Sequence, residues 1–379
     1  MARILTMCNF AVGGAETAAL AFSQELLRRG HDVGVFNSHP SQSVSGAFLG
    51  LLHRVQQSSE TSHRTLRFIQ DKRFAVTFGA DIIWSHGYWA DAATLSVREC
   101  LGGVPWIQHL HGCYDNPQNW TSVPNFGSTA ARALGSSSGI LAGSRKNRNA
   151  VDAYSVGQPF KVVPNPILAR AHTASADSLF ISKYQGRNCS ERDMLRLGLI
   201  SRAVAGKGWD DLFELAKEFA QSSLADVVRI ELIGDGPVRS WIESRIDGTP
   251  RVKDTLSMPG EVPNPDFASL DIGIIWSRFK SESRPLVLGE YFAAGLPVIV
   301  LASEWLEALL HDGGLDELTF PGWIVEDGPD ARVALSRLVA SLTQNRKLIA
   351  ERAALIPGLR SLFDSDHAVE FALSFLPNR

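Results

Sequence analysis

Cysteine is scarce in this chain of 379 residues, which has only Cys8, Cys100, Cys113 and Cys189. These four lie far apart and lack the close paired spacing of zinc ligands, so the sequence predicts buried free thiols in a reducing compartment. No apolar run approaches the roughly eighteen residues that a membrane span needs. The apolar stretch at the start is too short for a signal peptide. These absences predict a cytoplasmic protein, attached to a membrane at most peripherally.

The standard nucleotide-binding fingerprints are also missing. Gly13 and Gly14 follow the first apolar run, but the GxGxxG spacing fails and no acidic residue ends the second predicted strand. Lys207 stands between two glycines without the spacing of a Walker loop. No basic run is interleaved with aromatic residues in a recognisable nucleic-acid-binding module, so we expect no nucleic-acid partner.

Charge is distributed unevenly along the chain. Residues 1–165 carry 14 Lys and Arg against 10 Asp and Glu, whereas the remainder carries 23 against 30. A mildly basic first half favours contact with an anionic surface, and we hypothesise that it rests on anionic lipid. The alternative is solvated basic faces with core tryptophans. The residues concerned are Arg54, Arg64, Arg67, Lys72, Arg73, Trp89, Trp120, Arg145, Lys146 and Arg148.

Apolar strand-like runs alternate with helical patterns from end to end, which is typical of parallel α/β layers. Residues 167–194 lack that periodicity and are interpreted as an interdomain connection with an insertion. The pattern predicts two Rossmann-like domains, 1–166 and 195–360, that face each other across a cleft. A C-terminal helix over 361–379 either ends the second domain or packs back on the first. The predicted strands are 3–8, 32–37, 81–85, 106–110, 139–142, 161–163, 195–201, 229–233, 255–258, 271–276, 297–301 and 323–325.

Two glutamates flank the start of a predicted helix in the second half. Seven residues separate Glu282 from Glu290, and Ser283 is the expected N-cap with Pro285 in the first turn. One carboxylate would stand just ahead of the helix and the other about two turns inside it. A helix N-terminus attracts anions, so a diphosphate could bind at this point. The two carboxylates would then accept hydrogen bonds from the hydroxyl groups of the polar rings on either side of it. The alternative is a surface helix with two solvated glutamates.

Two cations and a glycine turn follow predicted strand ends in the same half. Arg202 ends one strand and Lys207 follows in a glycine loop, an arrangement that suits a phosphate clamp. The alternative is two solvated surface cations. The turn at Gly234 would let backbone approach a ligand, although such turns are more often structural.

Two histidines end a predicted strand in the first half. His109 and His111 share one face of that strand, as a metal pair would, but no third ligand is evident in the nearby sequence. A buried histidine with satisfied ring nitrogens is the more frequent outcome for either residue alone.

In their order and spacing these motifs resemble the retaining glycosyltransferases of family four, which have the two-domain GT-B fold. The resemblance extends over most of the chain. It is carried by Gly13-Gly14, His111-Gly112, Val162-Val163-Pro164-Asn165, Arg202 with Lys207-Gly208, Gly234-Asp235-Gly236-Pro237, and Glu282 and Glu290 with Ala294–Ile299.

The resemblance implies a role for each matching residue. Arg202 and Lys207 would neutralise the diphosphate of a nucleotide-sugar donor, Glu290 would hold the ribose, and Glu282 would hold the transferred sugar. His111 would contact donor sugar and acceptor near the reacting carbon. Further donor contacts are implied for Gly13, Gly14, Gly234, Arg284, Pro285 and Leu286. No metal is implied, since fixed cations serve the leaving group; the only Asp-x-Asp element, Asp364-Ser365-Asp366, is read as a helix cap.

Two positions depart from the family pattern. Asn165-Pro166 replaces the usual Asn-Gly, and Ser283-Arg284-Pro285 replaces a Gly-Phe-Gly-like run. Arg284 therefore leaves the donor sugar open: it either meets an acidic sugar or anionic acceptor, or has a plain surface or ion-paired role.

The implied function is transfer of a sugar, with retention, to a glycan or lipid-linked acceptor in cell-surface polysaccharide or lipopolysaccharide assembly. The alternatives are an epimerase or phosphorylase of the same fold, and a non-catalytic subunit that binds nucleotide sugars.

Overall fold

A computed structural model describes most of the chain as two compact units, residues 1–172 with 363–379, and residues 173–362. Each unit is a Rossmann-like α/β layer around one parallel sheet, which is the predicted fold class. Of the predicted connection over 167–194, only Met194 is described. The described residues are 1–9, 13–38, 46–62, 66–69, 72–112, 114–154, 157–163, 165–166, 194–246, 248, 251–262, 265–279, 282–363 and 365–376.

The first unit has a sheet of seven parallel strands. Its strands are β1 (Arg3–Cys8), β2 (Asp32–Asn37), β3 (Leu66–Ile69), β4 (Ile82–His86), β5 (Trp106–Leu110), β6 (Gly139–Ala142) and β7 (Phe160–Val162). The strands lie in the order β3-β2-β1-β4-β5-β6-β7, so the direction of winding reverses between β1 and β4. Its helices are α1 (Gly14–Arg28), α2 (Gly46–Ser62), α3 (Lys72–Phe78), α4 (Tyr88–Cys100), α5 (Pro117–Ser122), α6 (Phe126–Ser136) and α7 (Arg145–Val151).

Strand β3 was not predicted from the sequence. It is only four residues long, contains an arginine, and pairs with β2 in parallel from Leu66 opposite Val33 to Ile69 opposite Phe36. Its polar flanks led us to interpret this segment as a basic surface face. An edge strand needs few apolar residues, because one neighbour supplies its backbone hydrogen bonds and one side remains outside the sheet.

The centre of this sheet is buried on both faces. All five residues of β4 and of β5 are buried, and Leu5, Met7, Ile83 and Trp106 lie in one apolar cluster. Parallel strands covered by helices on both faces read as nearly continuous apolar runs, which explains why the sequence predicted these strands to within a residue or two.

The second unit has six parallel strands in the order β10-β9-β8-β11-β12-β13. They are β8 (Leu195–Ile200), β9 (Val228–Ile233), β10 (Leu256–Gly260), β11 (Ile272–Ile275), β12 (Val298–Leu301) and β13 (Gly322–Val325). The helices that follow in the chain are α8 (Trp209–Ala220), α9 (Pro237–Ile246), α10 (Val252–Thr255), α11 (Leu286–Ala293), α12 (Glu304–Gly313), α13 (Ala331–Gln344), α14 (Lys347–Ala353) and α15 (Asp366–Leu373).

Helix α15 belongs to the first unit although it follows the second in sequence. Asp366 in its first turn forms an ion pair with Arg29, at the end of α1. Beyond the helix, Phe375 lies against Gly139 of β6, where any added side chain would collide with its ring. The chain thus returns to its starting unit.

Two predictions from composition can be compared with this fold. Cys8 is a buried free thiol, as predicted, and burial raises its pKa. Cys100 is a free thiol as well, but it is exposed, so the prediction of burial is wrong for this residue. Cys113 and Cys189 lie outside the described residues. Among the helices that are described, none combines the length and apolar character of a bilayer span.

Candidate functional site

Helix α11 begins later than the sequence predicted. Pro285 is its N-cap, with φ −61° and ψ 121°, and Leu286 is the first helical residue. The predicted cap at Ser283 is therefore wrong, because the backbone stays extended up to the proline. Glu290 consequently lies at the start of the second turn rather than two turns inside, and is closer to the helix mouth than expected.

Tyr291 fixes α11 to the sheet. Its hydroxyl donates to the carbonyl oxygen of Gly198 at 2.8 Å and accepts from the amide of Ile200 at 3.1 Å. Its ring lies over Gly273, where an added Cβ would be 2.5 Å from the ring. The sequence presented Tyr291 only as part of an apolar stripe. It is a polar anchor that sets the position of its neighbour Glu290, and burial raises its pKa.

The second unit joins two of the predicted site residues directly. Lys207 Nζ forms an ion pair with Glu282 Oε2, and the two side chains are only 14% and 15% exposed. Ser277 Oγ donates to the same carboxylate oxygen at 3.1 Å, and the ammonium lies 4.9 Å from the centre of the Phe279 ring. The expected clamp cation and the expected sugar carboxylate thus share one enclosed position.

The loop that carries Lys207 is held by close backbone packing. Gly208 has φ +83°, and a Cβ there would lie 2.3 Å from the carbonyl oxygen of Trp276. The amide of Arg278 donates to the carbonyl oxygen of Gly206 at 2.7 Å. The glycines beside Lys207 therefore let the loop lie against the segment after β11, which leads on to Glu282.

Arg202 lies at the carboxyl end of β8 and is exposed. Among the residues that the structure describes, none forms an ion pair with its side chain. The glycine turn after β9 packs against the loop that carries Arg202. A Cβ on Gly234, whose φ is +142°, would lie 1.9 Å from the carbonyl oxygen of Ser201. The amide of Ala203 donates to the carbonyl oxygen of Asp235 at 2.8 Å. The close approach that Gly234 permits is thus to this loop.

Arg284 makes a contact with a segment far along the chain. Its side chain is partly buried and donates to the carbonyl oxygen of Leu362 at 2.9 Å. Burial lowers the pKa of its guanidinium to about 10, an effect that nearby Asp312 opposes. The contact with Leu362 and the nearby Asp312 carboxylate favour the ion-paired role over a plain surface one, and a contact of Arg284 with the donor sugar stays a prediction.

In the first unit, α1 begins at Gly14 with Gly13 as its N-cap. The φ of Gly13 is −163°, which any residue adopts, but an added Cβ would lie 2.6 Å from Glu16 Oε2. The amide of Thr17 donates to the carbonyl oxygen of Gly13 at 3.1 Å. The Glu16 carboxylate thus lies in the first turn, where its negative charge interacts favourably with the helix dipole.

Three histidines, not two, meet in the first unit. His86 ends β4 opposite His109 of β5, and His111 follows β5. His86 Nδ1 and His111 Nε2 are 3.4 Å apart, and the ring centres are 5.3 Å (His86–His109) and 4.6 Å (His109–His111) apart. Burial lowers the pKa of His111 to about 4 and those of the other two well below their usual range, so all three are neutral near pH 7.

His86 is the residue that the sequence analysis missed. The sequence shows no third ligand close to His109 and His111 along the chain, and His86 is 23 residues before His109. The signal was present, since neighbouring parallel strands end at the same sheet edge, β4 ends in His86, and β5 carries His109 one residue before its end.

A buried carboxylate lies near the same strands. Ser85 Oγ and the Tyr114 hydroxyl each donate to a different oxygen of Asp91. Ser85 also accepts from the Trp106 indole at 2.7 Å, and the Gln108 amide donates to the Tyr114 hydroxyl at 3.0 Å. Burial raises the pKa of Asp91 to about 7, against the lowering by its hydrogen bonds. Nothing in the sequence pattern marked this network.

The predicted lipid-facing residues have mixed positions. Trp89 is 51% exposed and Arg67 is exposed. Trp120 is instead partly buried: its indole donates to the Tyr114 carbonyl oxygen at 2.9 Å and its ring stacks on Tyr154. Arg148 is 3.6 Å from Asp152. Arg64 and the side chains of Arg54, Lys72 and Arg73 lie outside the described residues.

Two family models match this chain. Residues 12–168 match the model described as Glycosyltransferase Family 4, and residues 195–344 match the model described as Glycosyl transferases group 1. Each match corresponds to one α/β unit, and together they extend over most of the chain. No curated protein matches it.

Solved structures share the fold along the full chain. HepE of Anabaena in complex with UDP-glucose is 16% identical, with a TM-score of 0.68 and 99% of each chain covered. TarM of S. aureus, in complex with fondaparinux, alpha-GlcNAc-glycerol and UDP, is 10% identical, with a TM-score of 0.70 and 100% of each chain covered. The lipopolysaccharide outer core galactosyltransferase WaaB is 14% identical, with a TM-score of 0.58 and coverage of 97% of this chain and 98% of that one.

Proposed function

We propose, from the premise that this chain belongs to the group 1 glycosyltransferases of family 4, that it transfers a sugar with retention of configuration from a nucleoside-diphosphate sugar. The acceptor is a glycan or a lipid-linked glycan, and the product enters cell-surface polysaccharide or lipopolysaccharide. The observation that carries the proposal is the enclosed pair of Lys207 and Glu282, which joins the two halves of a donor site across 75 residues of sequence.

The second unit supplies the groups that the leaving diphosphate requires. Breaking the sugar–phosphate bond leaves negative charge on the diphosphate, and fixed cations stabilise that charge without reorganising. Arg202 is exposed just after a strand end, and Lys207 lies between two glycines that pack closely against neighbouring backbone. We therefore propose that the transfer needs no divalent metal, with Glu290 as the ribose acceptor near the mouth of α11.

Retention follows, in this proposal, from departure and attack on one face of the sugar. The sequence offered no convincing nucleophile for a covalent intermediate, so a short-lived ion pair between sugar and diphosphate is the better account. His111 is assigned to the reacting sugar by family resemblance. Its neutral imidazole would act as a hydrogen-bonding group, since burial lowers its pKa to about 4.

The named ligands of the structural neighbours support the donor class. HepE was solved with UDP and UDP-glucose and TarM with UDP, so uridine diphosphate sugars are the first donors to test. The fold shared with WaaB, a lipopolysaccharide outer core galactosyltransferase, supports a role in lipopolysaccharide assembly.

Contact with the inner face of the cytoplasmic membrane is a further part of the proposal. Exposed Trp89 and Arg67 support it, since an indole and a cation suit an anionic lipid surface. Cosedimentation with vesicles containing anionic lipid is expected at low salt. If no binding occurs under those conditions, this part of the proposal is wrong.

The test of the transfer reaction uses donor and acceptor panels. A thermal-shift screen of nucleotide sugars identifies the donor, since a ligand at 100 times its Kd stabilises the fold by about 2.7 kcal/mol. Product analysis with that donor should then show transfer with retained configuration in the presence of EDTA. Loss of transfer in EDTA, restored by Mg²⁺ or Mn²⁺, would overturn the account of the leaving group. Donor binding without transfer or hydrolysis would instead indicate a non-catalytic subunit.

A further inference from the structure

We propose that His86, His109 and His111 form a binding site for a zinc-class transition-metal dication. One ring nitrogen from each histidine lies within 4.8 Å of the others, and all three side chains are buried. The histidines come from two neighbouring strand ends, β4 and β5, whose pairing places His86 opposite His109. The backbone therefore fixes two of the three ligands relative to each other.

The distances match a shared metal ion. Two ligands of a tetrahedral zinc ion, each about 2.05 Å from the metal, lie about 3.4 Å from each other. His86 Nδ1 and His111 Nε2 are 3.4 Å apart. Both of these nitrogens can thus reach one ion without a change in their separation, whereas a ring nitrogen of His109, within 4.8 Å of the others, must move closer to complete the set.

The hydrogen-bonding state of the rings supports a ligand. Both ring nitrogens of His109 and Nε2 of His86 are buried without a hydrogen-bond partner. Buried polar atoms are normally satisfied, and a bond to a metal would satisfy one nitrogen of His109.

The donor set determines the class of ion. Three imidazoles and no carboxylate suit Zn²⁺, Co²⁺, Ni²⁺ or Cu²⁺, whereas Mg²⁺ and Ca²⁺ prefer oxygen ligands. His111 keeps 8% of its surface exposed, so a fourth position can be filled by water or by a ligand atom from outside. Three protein nitrogens with one open position is the arrangement of reactive rather than closed structural zinc sites.

Metal binding would have a consequence for transfer. It would occupy a ring nitrogen of His111, which the proposed function assigns to the reacting sugar. Zinc is therefore expected to inhibit transfer, and EDTA to restore it. The inhibition rests on the proposed function, whereas the binding itself does not.

The experiment titrates the full chain, free of any affinity tag, with Co²⁺ as a spectroscopic probe. We expect one Co²⁺ per chain with the intense visible absorption of a four-coordinate site, displacement by Zn²⁺, and no competition from Mg²⁺. His109→Phe keeps a ring in the stack but removes the ligand nitrogens. It should weaken binding at least about 100-fold, since loss of an outer-shell partner alone costs up to that factor.

The matched control is His311→Ala, because the His311 side chain is 70% exposed and lies in the second unit. It should bind Co²⁺ as the wild type does, and near-ultraviolet circular dichroism checks that both variants fold. If His109→Phe does not fold, His86→Phe provides the same test from the other strand. Absence of a one-to-one cobalt complex in the wild type, or equal affinity in the folded histidine variants, overturns the site. Cobalt and zinc binding without inhibition of transfer supports the site and counts against the role of His111.

Discussion

Lys207 and Glu282 hold each other in an enclosed ion pair, although 75 residues separate them in the chain. In the proposed donor site Lys207 binds the diphosphate, and Glu282 accepts hydrogen bonds from the hydroxyl groups of the transferred sugar. In this structure the Glu282 carboxylate therefore takes the place of the phosphate beside Lys207, and the Lys207 ammonium takes the place of the sugar hydroxyls beside Glu282. A donor that binds must transfer Lys207 from carboxylate to phosphate, and this frees Glu282 for the sugar hydroxyls.

This exchange predicts opposite effects of Glu282→Gln on two ligands. A nucleoside diphosphate, which has no sugar, should bind about tenfold more tightly, since Lys207 no longer has to leave a carboxylate; that factor corresponds to about 1.4 kcal/mol. The nucleotide sugar should gain less or lose affinity, because its hydroxyls lose an ionised acceptor. Isothermal titration calorimetry measures both. Glu351→Gln, which removes an exposed carboxylate beside Lys347, is the control and should change neither. Equal shifts for both ligands would refute the exchange.

Tyr291→Phe should weaken the attachment of α11 to the sheet without removing any proposed contact with the nucleotide sugar. The variant leaves the amide of Ile200 and the carbonyl oxygen of Gly198 without their hydroxyl partner, which costs about 1–3 kcal/mol of unfolding free energy. Glu290, the proposed ribose-binding residue, directly precedes Tyr291 in the chain. The KM for the nucleotide sugar should therefore rise more than kcat falls. Urea unfolding and steady-state kinetics measure the two effects. Tyr154→Phe, at a 44% exposed position, should change neither value, and an unchanged KM in Tyr291→Phe would show that the hydroxyl serves stability alone.

Gly208→Ala should disturb the Lys207 loop through a collision as well as through backbone strain. Both Gly208 and Gly314 have positive φ, but an added Cβ meets the Trp276 carbonyl oxygen only at Gly208; at Gly314 nothing lies within 4 Å. Gly314→Ala should therefore cost the conformational strain alone, about 1–3 kcal/mol. Gly208→Ala should cost more and should also weaken nucleoside-diphosphate binding. Chemical denaturation of the pair measures the difference, and equal losses would mean that the loop yields to the added methyl group.

Asp91 predicts an unusual pH dependence of stability. Burial raises the pKa of its carboxyl to about 7, above the value near 4 of an unfolded chain. The folded state therefore keeps a proton that the unfolded state has lost, and this contribution is fully present at low pH and disappears as the pH rises through about 7. The contribution of Asp91 to the free energy of unfolding is at most about 4 kcal/mol. Asp91→Asn should remove this contribution, so the stability of the wild type relative to the variant should fall between pH 4 and pH 8. A flat difference curve would contradict the raised pKa.

Two substitutions distinguish donor binding from turnover. Glu290→Ala should weaken donor binding, because a ribose acceptor is lost near the mouth of α11. His111→Ala should lower kcat more than it changes the donor KM, because the imidazole is assigned to the reacting sugar. Donor titrations and initial rates measure both effects. Full activity in both variants would overturn the assignment of the site.

The predicted strands of both sheets lie within one or two residues of those observed. Their runs are nearly continuous and apolar because each strand is buried on two faces, and burial is a local demand on residue type. Exceptions occurred where that demand is weak. Strand β3 is short and lies at the edge, and the start of α11 depends on Pro285, whose fixed φ suits both the N-cap and the first turn.

Side-chain partners could not be predicted in the same way. Arg284 was expected beside a sugar or an anionic acceptor, or in a surface or ion-paired role, and the sequence did not indicate its hydrogen bond to the Leu362 carbonyl oxygen, 78 residues away. His86 was missed because its partner histidines are on the next strand of the sheet. Periodicity and motif spacing describe neighbours along the chain, and these contacts depend on register and packing between elements.

The sequence by itself determined the two α/β units, the family resemblance and the residue types of the proposed donor site. Those features depend on burial pattern and on the spacing of motifs within single segments. Only the tertiary structure decided that Lys207 meets Glu282, that Tyr291 bonds to β8, and that three histidines converge at one sheet edge. The physical reason is that a strand end fixes a backbone position, whereas the partner of a long polar side chain is chosen by which other elements enclose it and exclude water.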